Sequence, residues 1–219
     1  MRVRLSIHAA RGPALLIAVW IGAFAAQAQP VIDDFVIAVA NDRADQVKRF
    51  LASGVDPNTI DRNGDPALFV AARGGNAATV EVLIAAKANV NARNRFQDTP
   101  LMVAALNGHL GIVKALRARG AEIDGTGWTP IIYAATGGRD DIVRYLLSEG
   151  ANVNAQSPNG MSALMMAVRE AHPSTVELLL ANRADINHRN EKGASALDVA
   201  KRNDDAEMVA RLRRAGARD

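Results

Sequence analysis

The stretch DTPLMVAALNGH, Asp98–His109, returns 30 residues later as WTPIIYAATGGR, Trp128–Arg139. With Thr99 as a reference point, comparable positions fall at Pro66, Thr129, Ser162 and Ser195, so the successive separations along the chain are 33, 30, 33 and 33 residues. A period of this length marks a repeat architecture, in which each unit is one supersecondary element stacked on the next.

The agreement runs through the whole period. Two residues after the reference stands an aliphatic (Leu68, Leu101, Ile131, Leu164, Leu197), and five after stands Ala71, Ala104, Ala134, Ala167 or Ala200. Further on come Val80, Val113, Val143, Val176 and Val209, then Leu83, Leu116, Leu146, Leu179 and Leu212. The unit closes on pairs such as Gly120-Ala121 and Gly150-Ala151, with Lys87-Ala88 and Arg183-Ala184 at the same place, followed by Val90-Asn91, Ile123-Asp124, Val153-Asn154 and Ile186-Asn187.

Local chemistry explains the pattern. Thr99-Pro100 and Thr129-Pro130 set a capping hydroxyl before a proline at the first helical position, where a missing N–H does no harm. Gly108 and Gly138 end that helix, and Gly120 and Gly150 end a second one. His172-Pro173 opens a second helix in the same manner. Helices of about ten residues do not persist alone in water, so each must bury its apolar face against its neighbours. The alanines allow close approach, and the valines and leucines fill the seam.

These residues, above all Thr99-Pro100-Leu101, Ala104-Ala105, Gly108-His109, Ile112-Val113, Leu116, Gly120-Ala121 and Asp124, resemble the ankyrin repeat family. The resemblance covers about Val31 to Ala217. It implies an all-α solenoid of stacked helix–turn–helix units with hairpin-like fingers at one side and capping repeats at both ends. The repeats fall at about 31–60 (N-terminal cap), 61–93, 94–124, 125–154, 155–187 and 188–219 (C-terminal cap). The N-terminal cap keeps Phe35, Ala38, Phe50, Leu51 and Gly54 in register but lacks a preceding finger. In the C-terminal cap Arg213 stands where Leu147 and Leu180 stand earlier. The finger between Asp124 and Thr129 is three residues shorter than the others.

Composition narrows the function. Aromatic residues are 4% and charged residues 22% of the chain, so the core is aliphatic and the chain is too charged for a multi-span membrane protein. The formal charge of +3 suggests nucleic acid until its source is located. Arg2, Arg4 and Arg11 are three of 26 basic residues and residues 1–28 hold no acid, so the remainder carries 23 basic and 23 acidic groups. A neutral chain has no global electrostatic footprint for DNA or RNA. Those arginines, the apolar run Pro13–Ala26 and the small-x-small sequence Ala26-Gln27-Ala28 form a signal peptide, residues 1–28, predicted to be cleaved after Ala28. That leaves residues 29–219 as the repeat domain, with a periplasmic or secreted destination. Retention of the segment as an inner-membrane anchor is the alternative. Cysteine is absent, which removes disulfides, thiol nucleophiles and Cys-based zinc sites.

Catalytic motifs do not assemble. The resemblance makes His109 and His172, at one repeat position, structural hydrogen-bonders at the turn between helices. His188 sits alone in a finger, and no His pair has metal spacing. GMSAL (Gly160–Leu164) and GASAL (Gly193–Leu197) lack the final glycine of a nucleophile elbow, and their serines stand at the capping position. ATGGRDD (Ala134–Asp141) lacks the Lys-Ser/Thr of a phosphate loop. The basic run Arg211–Arg218 suits a helix C-terminus. No catalytic, cofactor-binding or metal-binding residue is assigned and no cofactor is expected.

Scaffold positions repeat and binding positions should not. The finger residues, the residue before the reference and the pair seven and eight after it escape the rule. In ankyrin-like stacks these line the concave side. Phe96, Leu106 and Trp128 are expected to form an apolar centre ringed by Arg62, Arg95, Asp65 and Asp98, with Met161 beyond, docking a protein partner. The competing expectation is that Trp128 covers the shortened finger and Phe96 folds back on its own hairpin. The function this favours is a non-catalytic, monomeric interaction module, an adaptor, accessory subunit or inhibitor, binding no nucleic acid and, once the signal is cleaved, no membrane. An enzyme or small-ligand protein on the same stack is the alternative. N-terminal sequencing of the exported protein should return a chain beginning at Gln29; a chain retaining residues 1–28 would mean an anchor instead.

Overall fold

The computed structural model describes residues 30–219, so the expected signal segment and its cleavage site lie outside the described residues. Residues 30–40 form helix α1. Then follow α2 (Ala44–Ala52), α3 (Ala67–Gly74), α4 (Ala77–Ala85), α5 (Pro100–Asn107) and α6 (Leu110–Arg117). The order continues with α7 (Pro130–Thr136), α8 (Asp140–Ser148), α9 (Ala163–Arg169), α10 (Pro173–Ala181), α11 (Ala196–Arg202) and α12 (Ala206–Arg214). Helices α3, α5, α7, α9 and α11 pack in one row, α2, α4, α6, α8 and α10 in a second, and each hairpin joins the two rows. The fold is an all-α solenoid; among the described residues β-structure is confined to the isolated bridges Ile60–Pro66 and Gln156–Ser162 inside fingers.

The repeated apolar positions are the seam. Ala71, Ala104, Ala134, Ala167 and Ala200 are all buried, as are Val80, Val113, Val143 and Val176 and all five leucines from Leu83 to Leu212. Alanine here sets the distance between rows: a larger side chain would force the helices apart, at about 1–3 kcal/mol for an overpacked core. The N-terminal cap is anchored by Phe35, whose ring meets Phe50 edge-on at 6.0 Å.

Two sets of hydrogen bonds join each repeat to the next. Asn58, Asn91, Asp124, Asn154 and Asn187 each accept the backbone N–H of Asn89, Glu122, Asn152, Asp185 or Arg218 in the following unit, at 2.8–3.1 Å. At the turn between helices the direction reverses. The carbonyl of Val39 accepts from Asn76 Nδ2 at 2.8 Å, Arg73 from Asn107 Nδ2 at 2.9 Å, Leu106 from Arg139 Nε at 3.0 Å and Arg169 from Asn203 Nδ2 at 3.0 Å. His172 Nε2 lies 3.0 Å from the Thr136 carbonyl, and His109 Nε2 3.3 Å from that of Arg73. Both histidines are structural: each uses its ring to satisfy a carbonyl that the end of an inner helix leaves without an intrahelical partner.

The caps agree with the sequence at three positions and fail at one. Thr99, Ser162 and Ser195 accept the N–H of Met102, Met165 and Asp198 at 3.2–3.3 Å. Thr129 does not: its buried hydroxyl makes no side-chain cap. Thr129 ends the shortened finger, and its φ is −124°, against −101° at Thr99.

After each outer helix the chain takes a left-handed residue. Glycine supplies it at Gly120, Gly150 and Gly216, but Lys87 and Arg183 adopt φ of 65° and 66°. A side chain in that conformation costs about 1–2 kcal/mol, partly offset by the extra flexibility that glycine brings to the unfolded chain. Replacing Lys87 or Arg183 by Gly should therefore raise the unfolding free energy, measured in urea, by up to about 1 kcal/mol each.

Candidate functional site

Five fingers, residues 55–66, 88–99, 121–129, 151–162 and 184–195, project beside the inner helices. Each long finger is folded on a side chain at its base. Asp61 accepts from the N–H groups of Asn63 and Asp65, Asn94 from Phe96 and Asp98, and Asn190 from Lys192 and Ala194, all at 2.8–3.0 Å. Ser157 does the same for Met161. These turns fix the backbone and leave the tip side chains to face outward.

The expected site residues separate on this frame. Phe96 stands out at 65% exposure, with the Arg95 guanidinium 4.8 Å from its ring centre. Next to it Gln97 occupies the left-handed region, φ 69°, where the first, fourth and fifth fingers carry Gly64, Gly160 and Gly193. One tip thus holds both an exposed aromatic and a strained backbone, neither of which the stack requires. Leu106 is half-buried near the end of α5, and its carbonyl is held by Arg139.

The others are tied into the scaffold. Trp128 is half-buried over the shortened finger and meets Tyr133 edge-on at 5.8 Å, which is the covering role. Phe96 does not fold back. The aromatic ring pairs among the described residues are Phe35–Phe50 and Trp128–Tyr133, so the expected centre does not form around Phe96–Trp128 ring contact. Asp65 is buried, paired with Arg73 at 2.8 Å and accepting from Asn94 Nδ2 at 3.1 Å, so it joins the first finger to the second and does not ring a surface. Met161 is also buried, its sulfur accepting from Asn190 Nδ2, because the residue before the reference points along the stack into the next finger. Asp98, at the same register position, instead reaches helix α7 of the next repeat and accepts the Tyr133 hydroxyl. Arg62 is exposed and ion-paired to Asp33 of α1, which raises the guanidinium further above its ordinary value.

Tyr133 is the residue that sequence reasoning passed over. It sits four after the reference, where the other units carry Val70, Val103, Met166 and Val199, and that break in register was the available signal. Burial, then the hydrogen bond and charge of Asp98, push its phenol far above the ordinary value of 10.0. Tyr133 thus spans the gap left by the missing finger residues, with Trp128 on one side and Asp98 on the other.

Two other surfaces are open. At the N-terminal end Val31, Ile37 and Ile60 are exposed at 41%, 50% and 58%, beside a groove between α1 and the first finger. Between the fourth and fifth fingers a cleft of about 330 Å³ opens toward α9 and α11. No three His, Asp or Glu side chains among the described residues are grouped to hold a metal ion, and no described helix is long and apolar enough to cross a membrane.

A family model for ankyrin repeats (3 copies) matches residues 35–126, 120–190 and 155–218. No curated protein matches the chain.

The Tyr133–Asp98 contact predicts a pH response. Below pH 10.0 the phenol is neutral in folded and unfolded chains, and its stabilisation is fully present. Above that value the unfolded chain ionises first, so stability falls as pH rises toward the raised folded value. Unfolding free energies at about pH 9 and about pH 11 should differ less in Tyr133→Phe than in the wild type, and at the lower pH the substitution itself should cost about 0.5–1.5 kcal/mol.

Proposed function

The chain belongs to the ankyrin repeat family, whose repeats are protein-interaction modules and typically non-catalytic, and from that premise we propose that it binds a protein partner along the finger and inner-helix face. The observation that carries this reading is the second finger tip, with Phe96 exposed at 65% under the Arg95 guanidinium and Gln97 in a left-handed conformation. An aromatic and an arginine on a rigid support are the side chains that dominate binding energy at interfaces. The stack supplies the rigidity, so little ordering entropy is lost on docking. Recognition here is by shape and charge, without bond making.

The site proposed is Arg95, Phe96 and Leu106, with Arg62 toward the N-terminal end. Trp128, Asp98 and Asp65 hold the fingers at the spacing the partner meets. The signal sequence read at the N-terminus supports an encounter in the periplasm or outside the cell, where the protein would act as an adaptor, an accessory subunit or an inhibitor.

An Arg95→Ala/Phe96→Ala variant removes exposed groups only, so its thermal melt should match the wild type. Its affinity for a partner recovered from periplasmic extract by the wild-type protein should fall by about 2 kcal/mol or more, roughly thirtyfold in Kd. Undiminished affinity in the folded variant would move the interface elsewhere.

A further inference from the structure

The cleft between the fourth and fifth fingers has a chemistry of its own. Its floor is Met161 and Val199, its walls carry Arg169 from α9 and Arg202 from α11, and Lys192 and Glu191 stand on the finger side. Three cations therefore face one anion in a chain whose repeat region is neutral overall. The asparagines of the cleft are largely committed. Asn203 Nδ2 donates to the Arg169 carbonyl, while Asn190 donates to the Met161 sulfur and accepts from Lys192 and Ala194. Arg169 spends its Nε on Glu170 at 2.8 Å. Lys192 and Arg202 have no carboxylate within ion-pair distance among the described residues; Arg202 Nε touches only the Asp198 carbonyl, at 3.3 Å. The nearby Asp198 carboxylate is taken up by Ser195 and Arg189.

The walls are fixed. His188 Nε2 lies 2.8 Å from the Gly160 carbonyl, and the Glu191 N–H donates to the Asn159 carbonyl at 3.3 Å, locking the two fingers together. Gly160 has φ +74°, and a Cβ there would lie 2.9 Å from the Glu191 nitrogen, so the approach admits only glycine. The concavity of about 330 Å³, with Met161 and Val199 at its base and unpaired cations at its edge, has room for one or two side chains.

We propose that this cleft takes an acidic segment of the protein partner, with a carboxylate between Lys192 and Arg202 and a neighbouring apolar side chain on Met161 and Val199. The inference rests on the interaction-module reading above and names the partner's chemistry at a second point on the same face. Arginine binds carboxylates bidentately, and the Lys192 ammonium adds a second positive charge beside it. A nucleic-acid strand fits less well, because no aromatic ring lines the cleft to stack a base.

The test is selection of phage-displayed random peptides on the exported form of the protein, followed by fluorescence-anisotropy titration of the winning peptides. Peptides rich in Asp or Glu beside an apolar residue should be enriched. They should bind Lys192→Ala/Arg202→Ala about tenfold or more weaker than wild type, and weaken with salt. The variant's circular-dichroism melt should be unchanged, since neither side chain carries an ion pair. Peptides without acidic enrichment, or acidic ones insensitive to the double substitution, would overturn the acidic-segment inference. The face reading would still stand if those peptides lost affinity for Arg95→Ala/Phe96→Ala. Recovery of no peptide above background would count against both readings. A single-stranded oligonucleotide binding more tightly than any peptide, and dependent on Lys192 and Arg202, would replace the peptide with nucleic acid.

Discussion

Every join in this stack has to satisfy the polar backbone groups that short helices leave exposed at their ends. With helices of seven to nine residues from α2 to α12, a large share of the N–H and C=O groups lie within a turn of a terminus. The solution is reciprocal between neighbours. A finger asparagine or aspartate receives an N–H from the next repeat, and the next repeat returns a side-chain donor to an inner-helix carbonyl. Apolar burial at the alanine, valine and leucine positions supplies the driving force, but it does not set a register. The hydrogen bonds do, because each connects groups about one period apart. The cooperative unit is thus the array rather than the repeat.

The shortened third finger tests that scheme. Removing three residues takes away the tip turn that the long fingers form on Asp61, Asn94, Ser157 and Asn190, and it leaves the Thr129 hydroxyl without a partner. Tyr133 and Trp128 fill the space instead, and Asp98 reaches across to hold the phenol. The backbone ladder is undisturbed, since Asp124 still receives the Asn152 N–H at 3.1 Å. An irregular finger is tolerated because the fingers stand outside the seam. For the same reason the face they form can vary from unit to unit, with Phe96 at the second finger tip and the Lys192–Arg202 cleft between the fourth and fifth fingers.

The exposed residues of the proposed binding face were harder to read than scaffold residues. Phe96 and Arg95 were legible as breaks in the repeat, and both proved exposed. Met161 and Asp65 were equally non-repeating, yet both are buried. Non-repetition marks freedom from the shared seam; it does not distinguish a side chain facing solvent from one packed on the next finger. Tyr133 left a local signal, a tyrosine where the other units carry Val or Met, but its partner Asp98 lies about one period away, and nothing in the sequence joined Lys192 to Arg202.

The sequence by itself determined the period, the helix pairs, the alanine-lined seam and the caps at Thr99, Ser162 and Ser195. Each of these follows from local backbone chemistry or from a spacing that recurs along the chain. Only the tertiary structure decided which non-repeating side chains remain in solvent, how the three-residue deletion is filled, and where unpaired cations converge. Those outcomes depend on the fit between one finger and the next, roughly 30 residues away, made by side chains that do not recur from unit to unit.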